Sequence, residues 1–532
     1  PAKHRLHVLQ LALEAEALAQ RDALLVQVLQ DRAARIAALP PATLPASLRA
    51  TLRPYQLEGF QFLAHLSAQG FGGILADDMG LGKTVQTLAW LLHLKGRDDL
   101  RVVRNESSTP PKPDRTEPVP PSNDAPPFRA LIVCPKSVTH GWLAETARFA
   151  PDLGIAAFNT DTRSAATAIA KGPALLVANY TQLRLHAAAF RAQAWDVVVL
   201  DEGQFIKNPG SQVAVSARSL RAKHRVVLTG TPIENRLADL WSLFAFAQPG
   251  LLGDQAGFRR QYNEADPQAL ARLHRRVRHF LLRRTKAQAA PDLPPRTEDE
   301  IIVELEGEQR RLYEAELKRA RAHLLGVETA KALDAVRFHV LASLLRLRQI
   351  CCHPALVDPA HADLPSAKLE ALLERVEELA EEGHQVLVFS QFVGMLEIIR
   401  DRLVSAGIGH LMLTGATENR SELVNTFQTD PTKTVFLLSL KAAGFGLNLT
   451  AASYAILYDP WWNPAAEAQA IDRIHRIGQT KPVIAYRLLA EHTVEEKIRL
   501  LQREKAALAS AVVQEESLAT VMDLDSLKRI LA

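Results

Sequence analysis

Two sets of short apolar runs constrain the fold of this chain more than any other feature of its sequence. The first set is GGILAD, ALIVCP, ALLVANY, DVVVLDE and RVVLTGT, and the second is QVLVFSQF, HLMLTG, TVFLLSL, YAILYDP and VIAYRLL. Runs of this kind, each followed by a helical stretch, are typical of buried parallel strands. The carboxyl ends of such strands carry the functional site. The sequence therefore predicts an α/β fold whose pattern occurs twice, with helical material between.

Length and charge agree with this reading. A chain of 532 residues is too long for one hydrophobic core and predicts two or more domains. Apolar residues make up 47% of the chain and charged residues 23%, which is ordinary for a globular protein. The formal net charge of +4 favours a nucleic-acid partner only weakly.

The cysteine pattern and the hydropathy argue against three classes of protein: disulfide-rich, zinc-binding and membrane-spanning. Cys134, Cys351 and Cys352 form neither a CxxC pair nor a metal-ligand spacing. We therefore expect no disulfide framework and no zinc site, and a reducing compartment fits. No apolar run reaches the roughly 18 residues of a membrane span, so we expect no membrane association. The chain begins at Pro1 rather than Met, which suggests a fragment or a processed chain, and an absent signal peptide means little.

Changes in composition and periodicity divide the chain. One segment is rich in Pro, Ser and charge, cannot pack a core, and predicts a disordered surface insertion within the first α/β region. In chain order we expect a helical extension at 1–45, an α/β region at 46–290 with that insertion at 104–127 and helices at about 236–285, an α/β region at 291–500 with helices at about 306–350, and helices at 501–532.

The segment ILADDMGLGKT follows a predicted strand and opens a predicted helix. Gly80 and Gly82 let backbone N–H groups approach an anion, Lys83 reaches the β- and γ-phosphates, and Thr84 can ligate Mg²⁺. The strict pattern G-x-x-x-x-G-K-[ST] fails at its first glycine, where Asp77 stands. The strand-loop-helix context favours a phosphate loop over the alternative, a glycine-rich turn with an ordinary lysine.

The run VVVLDEGQ delivers two acids at the end of a predicted buried strand. Asp201 would hold a metal ion directly or through water, and Glu202 would orient and deprotonate the attacking water. Alone, the pair would indicate a strand-end acidic turn. Together with the phosphate loop, it predicts one nucleotide site.

Two further signals are weaker. Gln56, in LRPYQLEGF, can read an adenine edge because its amide both accepts and donates, although such a residue on an amphipathic helix usually faces water. Thr229 and Thr231, in LTGTPIEN, follow a predicted strand and can couple the γ-phosphate to another ligand. The alternative for these threonines is a helix cap.

The stretch QAIDRIHRIGQ, residues 469–479, places Arg473 and Arg476 on one face of a predicted helix. Two adjacent positive charges repel each other, so a structural helix gains little from them. We expect these arginines to cross an interdomain cleft and stabilise the transition state of phosphoryl transfer, which ties hydrolysis to domain motion. The alternative is a basic solvated helix face. The second α/β region has no phosphate loop of its own.

These motifs, in this order, resemble those of the SWI/SNF-type ATPases of helicase superfamily two. The resemblance runs from about residue 50 to 500 and rests on DDMGLGKT, LDEGQFIKNP, LTGTPIEN, FLLRRTK, LRLRQICCHP, VFSQF and DPWWNPAAEAQAIDRIHRIGQ. It implies two RecA-like parallel-sheet lobes with ATP between them, helical insertions as protrusions, and final helices as a brace. It also implies movement along double-stranded DNA, usually without separating the strands.

The resemblance implies roles for two groups of residues. ATP and Mg²⁺ would engage Gln56, Asp78, Gly80, Leu81, Gly82, Lys83, Thr84, Asp201, Glu202, Gly444, Arg473, Arg476 and Gln479, with Thr84 and Asp201 holding the metal. The nucleic-acid track would use Lys136, Ser137, Asn179, Tyr180, Thr229, Ser390, Gln391, Ser439, Lys441, Asn448 and Trp462. Such contacts position a phosphate backbone, so we expect weak sequence preference and strong salt dependence.

The chain departs from the family pattern at a few positions. Gln204 stands where the family often has His, which can alter the coupling between ATP and DNA without removing water activation. LTGATENR lacks the acidic residue of the common LDGST form, and Lys441 and Ala443 replace a frequent Arg and Gly. None of these changes removes Lys83, Glu202 or the two arginines.

The leading hypothesis is a DNA-stimulated ATPase that translocates on duplex DNA and remodels or displaces bound proteins. A strand-separating or RNA-directed helicase is the second hypothesis, against which DPWWNP and HRIGQ weigh. A nucleotide-gated DNA clamp without turnover is the third, against which the intact catalytic residues argue. The target, a DNA-bound protein or RNA polymerase, stays open. The protein would be cytoplasmic and nucleoid-associated if bacterial, as its Ala-, Leu- and Arg-rich composition indicates, and nuclear if eukaryotic.

Overall fold

The computed structural model describes residues 42–107, 127–159, 165–230, 237–262, 266–324, 330–440, 447–462, 464–509 and 531. The chain divides into two compact units, Pro1–Ala289 and Ala290–Ala532. This division lies one residue from the boundary expected between the two α/β regions.

The first unit is built on a sheet of seven strands. In chain order they are β1 Gly73–Leu75, β2 Ala130–Cys134, β3 Ile155–Ala157, β4 Leu175–Asn179, β5 Ala194–Asp201, β6 Arg221–Leu228 and β7 Leu281–Leu282. They lie side by side in the order β3-β4-β2-β5-β6-β1-β7, and every pairing is parallel.

Both faces of this sheet are buried. Val198 and Leu200 of β5 enter one hydrophobic cluster, and Val197 and Val199 enter another. Since successive side chains of a strand point to opposite faces, helices must cover the sheet on both sides. The helices of the unit are Pro54–Ala68, Lys83–Ser107, Thr139–Phe149, Ala165–Lys171, Tyr180–Leu185, Ala187–Ala192, Gln212–Ser219, Leu237–Ala247, Gln255–Gln261, Pro267–Val277 and Lys286–Ala289.

The register of three adjacent strands brings the sequence motifs together. Leu75 of β1 is level with Leu228 of β6, which is level with Asp201 of β5. The loop after β1, the acids at the end of β5 and Thr229 after β6 therefore emerge at one carboxyl edge. This is where open parallel sheets bind their ligands.

The second unit repeats the architecture with six parallel strands. They are β8 Arg296–Val303, β9 Val386–Ser390, β10 His410–Leu413, β11 Val435–Ser439, β12 Tyr454–Leu457 and β13 Val483–Ala490, in the order β10-β11-β9-β12-β13-β8. Its helices are Gly307–Leu324, Ala330–Cys352, Ala367–Glu381, Val393–Ser405, Arg420–Thr429, Pro464–Ile471 and Val494–Ala509. The prediction of two parallel α/β lobes, RecA-like in kind, is thereby confirmed.

Several predicted segments differ in detail. The helical stretch expected at 236–285 ends in β7, which joins the sheet, and residues 104–107, which were expected to belong to the insertion, are helical. Residues 42–45 are not helical, although the helical extension was expected to reach 45. The rest of that extension, the insertion residues 108–126, and the brace residues 510–530 and 532 lie outside the described residues. No helix in the described ranges is long and apolar enough to span a membrane.

Candidate nucleotide site

The phosphate loop lies between β1 and the helix Lys83–Ser107. Gly80 and Gly82 have φ angles of 85° and 76°, in the left-handed region that favours glycine. A Cβ atom at Gly82 would also lie 2.5 Å from Nε2 of Gln56. The positive φ angles therefore favour glycine at both positions, and at Gly82 the nearby side chain of Gln56 also leaves no room for a Cβ atom.

Lys83 is held inside this loop. Its ammonium group donates hydrogen bonds to the carbonyl oxygens of Asp77 at 2.6 Å and Asp78 at 3.3 Å. Thr84 follows in the first helical turn and is half-buried. An ammonium group beside the N-terminus of a long helix is an arrangement that binds phosphate.

The acidic pair stands at the end of β5. Asp201 and Glu202 are each 8% exposed. Asp201 accepts a hydrogen bond from the indole of Trp142 at 2.8 Å and another from the backbone N–H of Glu202 at 2.9 Å. Glu202 has a φ of 54°, a conformation that costs free energy for a residue other than glycine and is frequent at functional sites.

The electrostatics connect the acids to the phosphate loop. Burial, and after it the charge of Glu202, raise the pKa of Asp201 to about 7, although the Trp142 hydrogen bond and the charge of Lys83 act to lower it. Lys83 therefore lies close enough to act on Asp201. A buried carboxylate beside a second acid favours a bound cation, which relieves the repulsion between them.

The oxygen atoms present fit Mg²⁺. Each carboxylate oxygen of Asp201 accepts one hydrogen bond from the protein and keeps a lone pair, and Thr84 offers a hydroxyl. Among the described residues, no cluster of three or more His, Cys, Asp or Glu side chains could hold a metal ion. Mg²⁺ is usually bound through one or two protein oxygens together with phosphates and water, and Asp201 and Thr84 could supply the protein oxygens.

Gln204 links the acids to the neighbouring strand. Its amide nitrogen donates to the carboxylate of Glu202 at 2.9 Å, and its amide oxygen accepts from the hydroxyl of Thr229 at 3.3 Å. The residue that departs from the family pattern thus connects Glu202 to the end of β6. The sequence marked this position as unusual but did not show its partners.

Gln56 supports the loop from the helix Pro54–Ala68. Its amide nitrogen donates to the carbonyl oxygen of Leu81 at 3.2 Å, and its amide oxygen accepts from the N–H of Arg53 at 3.0 Å. Tyr55 donates to the same Leu81 carbonyl at 3.0 Å. Gln56 is buried, and adenine recognition by it stays a prediction beside this observed role.

Sequence reasoning missed two residues of this site. Trp142 binds Asp201, as described, from the helix Thr139–Phe149. Arg284, in the motif FLLRRTK, forms an ion pair of 2.6 Å with Asp77, the residue that occupies the first glycine position of the phosphate-loop pattern. FLLRRTK contributed to the family resemblance, but neither it nor the segment around Trp142 carries a local signal of such a contact.

In the second unit, the arginines of QAIDRIHRIGQ are not helical. The helix Pro464–Ile471 ends before them, so the prediction of one helix face was wrong. Arg473 is buried, and its carbonyl oxygen accepts from the N–H of Leu449 at 3.1 Å. Arg476 is half-buried and donates to the carbonyl oxygen of Leu447 at 3.2 Å. Turns, rather than a helix, set the directions of these side chains.

Gln479 fixes this turn. Its amide nitrogen lies within hydrogen-bond distance of the carbonyl oxygens of Thr450, Ala452 and Ile474, at 2.9 to 3.3 Å. Its amide oxygen accepts from two backbone N–H groups immediately after it. A side chain committed to the backbone in this way fits the expected closure of the motif and does not fit direct binding of the nucleotide.

Four expected nucleic-acid contacts are buried: Tyr180, Thr229, Ser390 and Ser439. Tyr180 donates to the carbonyl oxygen of Asp201 at 2.7 Å, and Ser390 donates to Asp459 at 2.5 Å. Their burial does not fit direct contact with nucleic acid, because these hydroxyls serve the packing of the strand ends instead.

The other expected contacts differ in exposure. Lys136 and Asn448 are exposed, and Asn179, Gln391 and Trp462 are half-buried. The Asn179 side chain caps a helix by accepting from the N–H of Gln182. Lys441 and Gly444, the side chain of Ser137, and Thr231 lie outside the described residues.

Comparisons with known proteins match nearly the whole chain. The family model described as SNF2-related domain matches residues 55–356, and the helicase conserved C-terminal domain matches residues 367–478. The putative ATP-dependent helicase/translocase YwqA of Bacillus subtilis is 35% identical over 510 residues, which cover 92% of this chain and 52% of that protein.

Two further matches come from other domains of life. The human SWI/SNF-related matrix-associated actin-dependent regulator of chromatin subfamily A member 1 is 34% identical, over 87% of this chain and 44% of that protein. The chain thus spans about half the length of these curated relatives. A solved structure, the Sulfolobus solfataricus SWI2/SNF2 ATPase core in complex with dsDNA, is 32% identical with a TM-score of 0.44 and covers 92% of this chain and 99% of that one.

Proposed function

The chain belongs to the SNF2-related family, and from that premise we propose that it is an ATP-dependent translocase on double-stranded DNA that remodels or displaces DNA-bound proteins. The observation that carries the proposal is the arrangement at the carboxyl edge of the first sheet. There the strand register brings the loop that holds Lys83 to the same edge as Asp201 and Glu202, and Gln204 donates to Glu202.

Each residue of this arrangement has a chemical task in ATP hydrolysis. Lys83 and the helix N-terminus bind the β- and γ-phosphates. Glu202 takes the proton of the attacking water, and Gln204 occupies one of its carboxylate oxygens so that the other faces the water. Thr84 and Asp201 would hold Mg²⁺, which when bound neutralises charge on the phosphates.

We assign Arg473 and Arg476 to the transition state. Guanidinium groups stabilise the charge that develops on a phosphoryl group in transfer. Their turn is anchored by Gln479, which holds it rigid for that purpose. Because they belong to the second unit and Lys83 to the first, hydrolysis would require the two units to act together, and that requirement is how turnover would be tied to movement.

The DNA track in this proposal uses exposed polar and basic side chains of both units, such as Lys136 and Asn448. Contacts to phosphates release counterions, so binding should weaken steeply with salt. The reaction class is supported by the similarity to the putative ATP-dependent helicase/translocase of Bacillus subtilis. The proposed protein target is a DNA-bound protein or RNA polymerase.

A steady-state ATPase assay tests the proposal. The rate is measured without nucleic acid and with duplex DNA, single-stranded DNA or RNA, each at two salt concentrations. Lys83→Ala serves as the blank, and Glu202→Gln is the matched variant that keeps the shape of the site. We expect duplex DNA to raise the rate most, salt to reduce the stimulation, and both variants to be inactive. Equal rates in all four conditions would refute the translocase, and a preference for RNA or single strands would favour a helicase.

A further inference from the structure

We propose that Arg284 is a positioning residue for the nucleotide phosphates, acting through Asp77 to hold the phosphate loop in its binding shape. The proposal rests on the proposed function, since it concerns the same site. It adds Arg284 to the residues of that site and states how this residue acts. Arg284 touches no reacting group; it acts on the loop that does.

The contact between Arg284 and Asp77 is bidentate and dry. Nη2 and Nε of the arginine lie 2.6 and 3.0 Å from the two carboxylate oxygens. Asp77 is 0% exposed and Arg284 is 9% exposed. Paired charge-assisted bonds of this geometry are about twice as strong as neutral ones and fix direction as well as distance. The first residue of the phosphate loop is therefore held in place.

The same guanidinium joins three segments. Besides Asp77 of the loop, it donates to the amide oxygen of Gln86 at 3.1 Å, in the helix that follows the loop. It also donates to the carbonyl oxygen of Tyr55 and to Glu58 at 3.3 Å, in the helix Pro54–Ala68. We call these residues the Arg284 hub. Movement of the loop relative to either helix would break at least one of its bonds.

The backbone beside Arg284 forms a second tie, which we call the strap, residues 281–286. The N–H groups of Ala76 and Asp78 donate to the carbonyl oxygens of Leu282 at 2.7 Å and Arg284 at 3.0 Å. The N–H of Lys286 donates to the carboxylate of Asp78 at 3.0 Å. The β1–β7 pairing thus continues along the loop. Arg284 holds the loop twice, through its backbone carbonyl oxygen and through its guanidinium group.

The hub also explains a departure of the sequence. The general phosphate-loop pattern has glycine where this chain has Asp77. A fully buried, unpaired carboxylate there would be strongly unfavourable. The bidentate arginine satisfies it and converts the position from a flexible one into an anchor.

The packing at the hub leaves no spare room. A Cβ atom at Gly59 would lie 1.7 Å from the amide oxygen of Gln86 and 2.9 Å from Nη2 of Arg284. Alanine is favoured over glycine inside a helix, so a harmful effect of Gly59→Ala could come only from displacing these side chains. Gly59→Ala thereby perturbs the hub without removing a charge.

Titration of ATP and of ADP onto the full chain tests the proposal, at a temperature well below the melting transition of every variant. Arg284→Gln should raise both dissociation constants about tenfold or more, as expected for lost charge-assisted bonds. Arg284→Lys keeps the positive charge but cannot form the paired hydrogen bonds of a guanidinium group, so its dissociation constants should lie between those of wild type and of Arg284→Gln. The matched control is Arg283→Gln, because Arg283 is the exposed neighbour; its dissociation constants should stay within about twofold of wild type.

A double variant separates positioning from mere stability. Asp77→Asn with Arg284→Gln removes both buried charges, so the melting temperature should recover relative to Arg284→Gln alone while the affinity for ATP stays low. A recovery of both quantities, or an unchanged dissociation constant in folded Arg284→Gln, would overturn the proposal. If Arg284→Gln does not fold, the dissociation constants of the double variant and of Gly59→Ala for ATP test the proposal: values raised above wild type support it, and unchanged values overturn it. Wild type that fails to bind ATP would instead refute the proposed function.

Discussion

The hydrogen bond between Gln204 and Glu202 offers a direct test of how the water-activating acid is positioned. Glu202 has a left-handed backbone, and Gln204 donates to its carboxylate at 2.9 Å. Gln204→Leu keeps the approximate size of the side chain and removes both the donor and the acceptor. If the bond holds Glu202 in its working direction, turnover of ATP should fall although the nucleotide still binds.

The magnitude follows from the two bonds. A hydrogen bond to a charged group contributes about 1.5–3 kcal/mol, and each 1.36 kcal/mol is tenfold in rate. Gln204→Leu should therefore lower kcat by about 10- to 150-fold. Thr229→Val removes only the hydroxyl that donates to the far end of the amide at 3.3 Å. A neutral bond contributes about 0.5–1.5 kcal/mol, so this variant should lose about 2- to 10-fold.

The assay is ATP turnover at saturating ATP and duplex DNA, with DNA affinity measured separately. Gln204→His is the matched control, because a ring N–H can replace the amide donor, and it should retain most of the rate. Glu202→Gln serves as the reference for complete loss of ATP turnover. A Gln204→Leu enzyme within about twofold of wild type would show that the backbone alone orients Glu202.

Two further predictions concern the folding of the units. Lys368 and Glu495 form a fully buried ion pair with N–O distances of 3.0 and 2.8 Å. In urea titrations, Lys368→Met should therefore lower the free energy of unfolding by about 3–5 kcal/mol, because it leaves Glu495 buried without its partner. Adding Glu495→Gln should restore most of that free energy, and equal stability of the single and double variants would contradict this prediction. Burial raises the pKa of the Cys134, Cys351 and Cys352 thiols, so native protein should resist iodoacetamide at mildly alkaline pH and react on unfolding. Mass spectrometry of labelled peptides checks this, since Cys134 reports the first unit and the other two the second, and rapid labelling of native protein would contradict it.

The sequence predicted every central strand and one edge strand, β10, and missed the other three edge strands. Every apolar run singled out at the start contains a strand of the structure. The strands without such a run are β3, β7 and β8, and all three lie at sheet edges. β8 has the charged sequence RTEDEIIV, and none of its residues is buried. Edge strands are short or charged for a physical reason, since this discourages pairing with other chains, and that same property hides them from hydropathy.

The candidate site divides in a similar way. Lys83, Asp201 and Glu202 carry motifs read from adjacent residues, and the strand register brings them together as expected. Arg284 binds a residue 207 positions away, and no local pattern encodes a contact of that range. Tyr180, Thr229 and Ser390 were expected to contact DNA because strand-end hydroxyls suit phosphates. All three are buried, which sequence position alone does not reveal, and their hydroxyls bond to Asp201, Gln204 and Asp459.

The strap has a consequence for the order of events during synthesis. Leu281–Lys286 leave the ribosome long after Lys83, and at 5–20 residues per second the delay is roughly 10–40 s. Throughout that time the growing chain carries Asp77 without its arginine and an edge of β1 without its neighbour. The nucleotide loop is thus among the first parts of the unit to be made and among the last to gain all of its contacts.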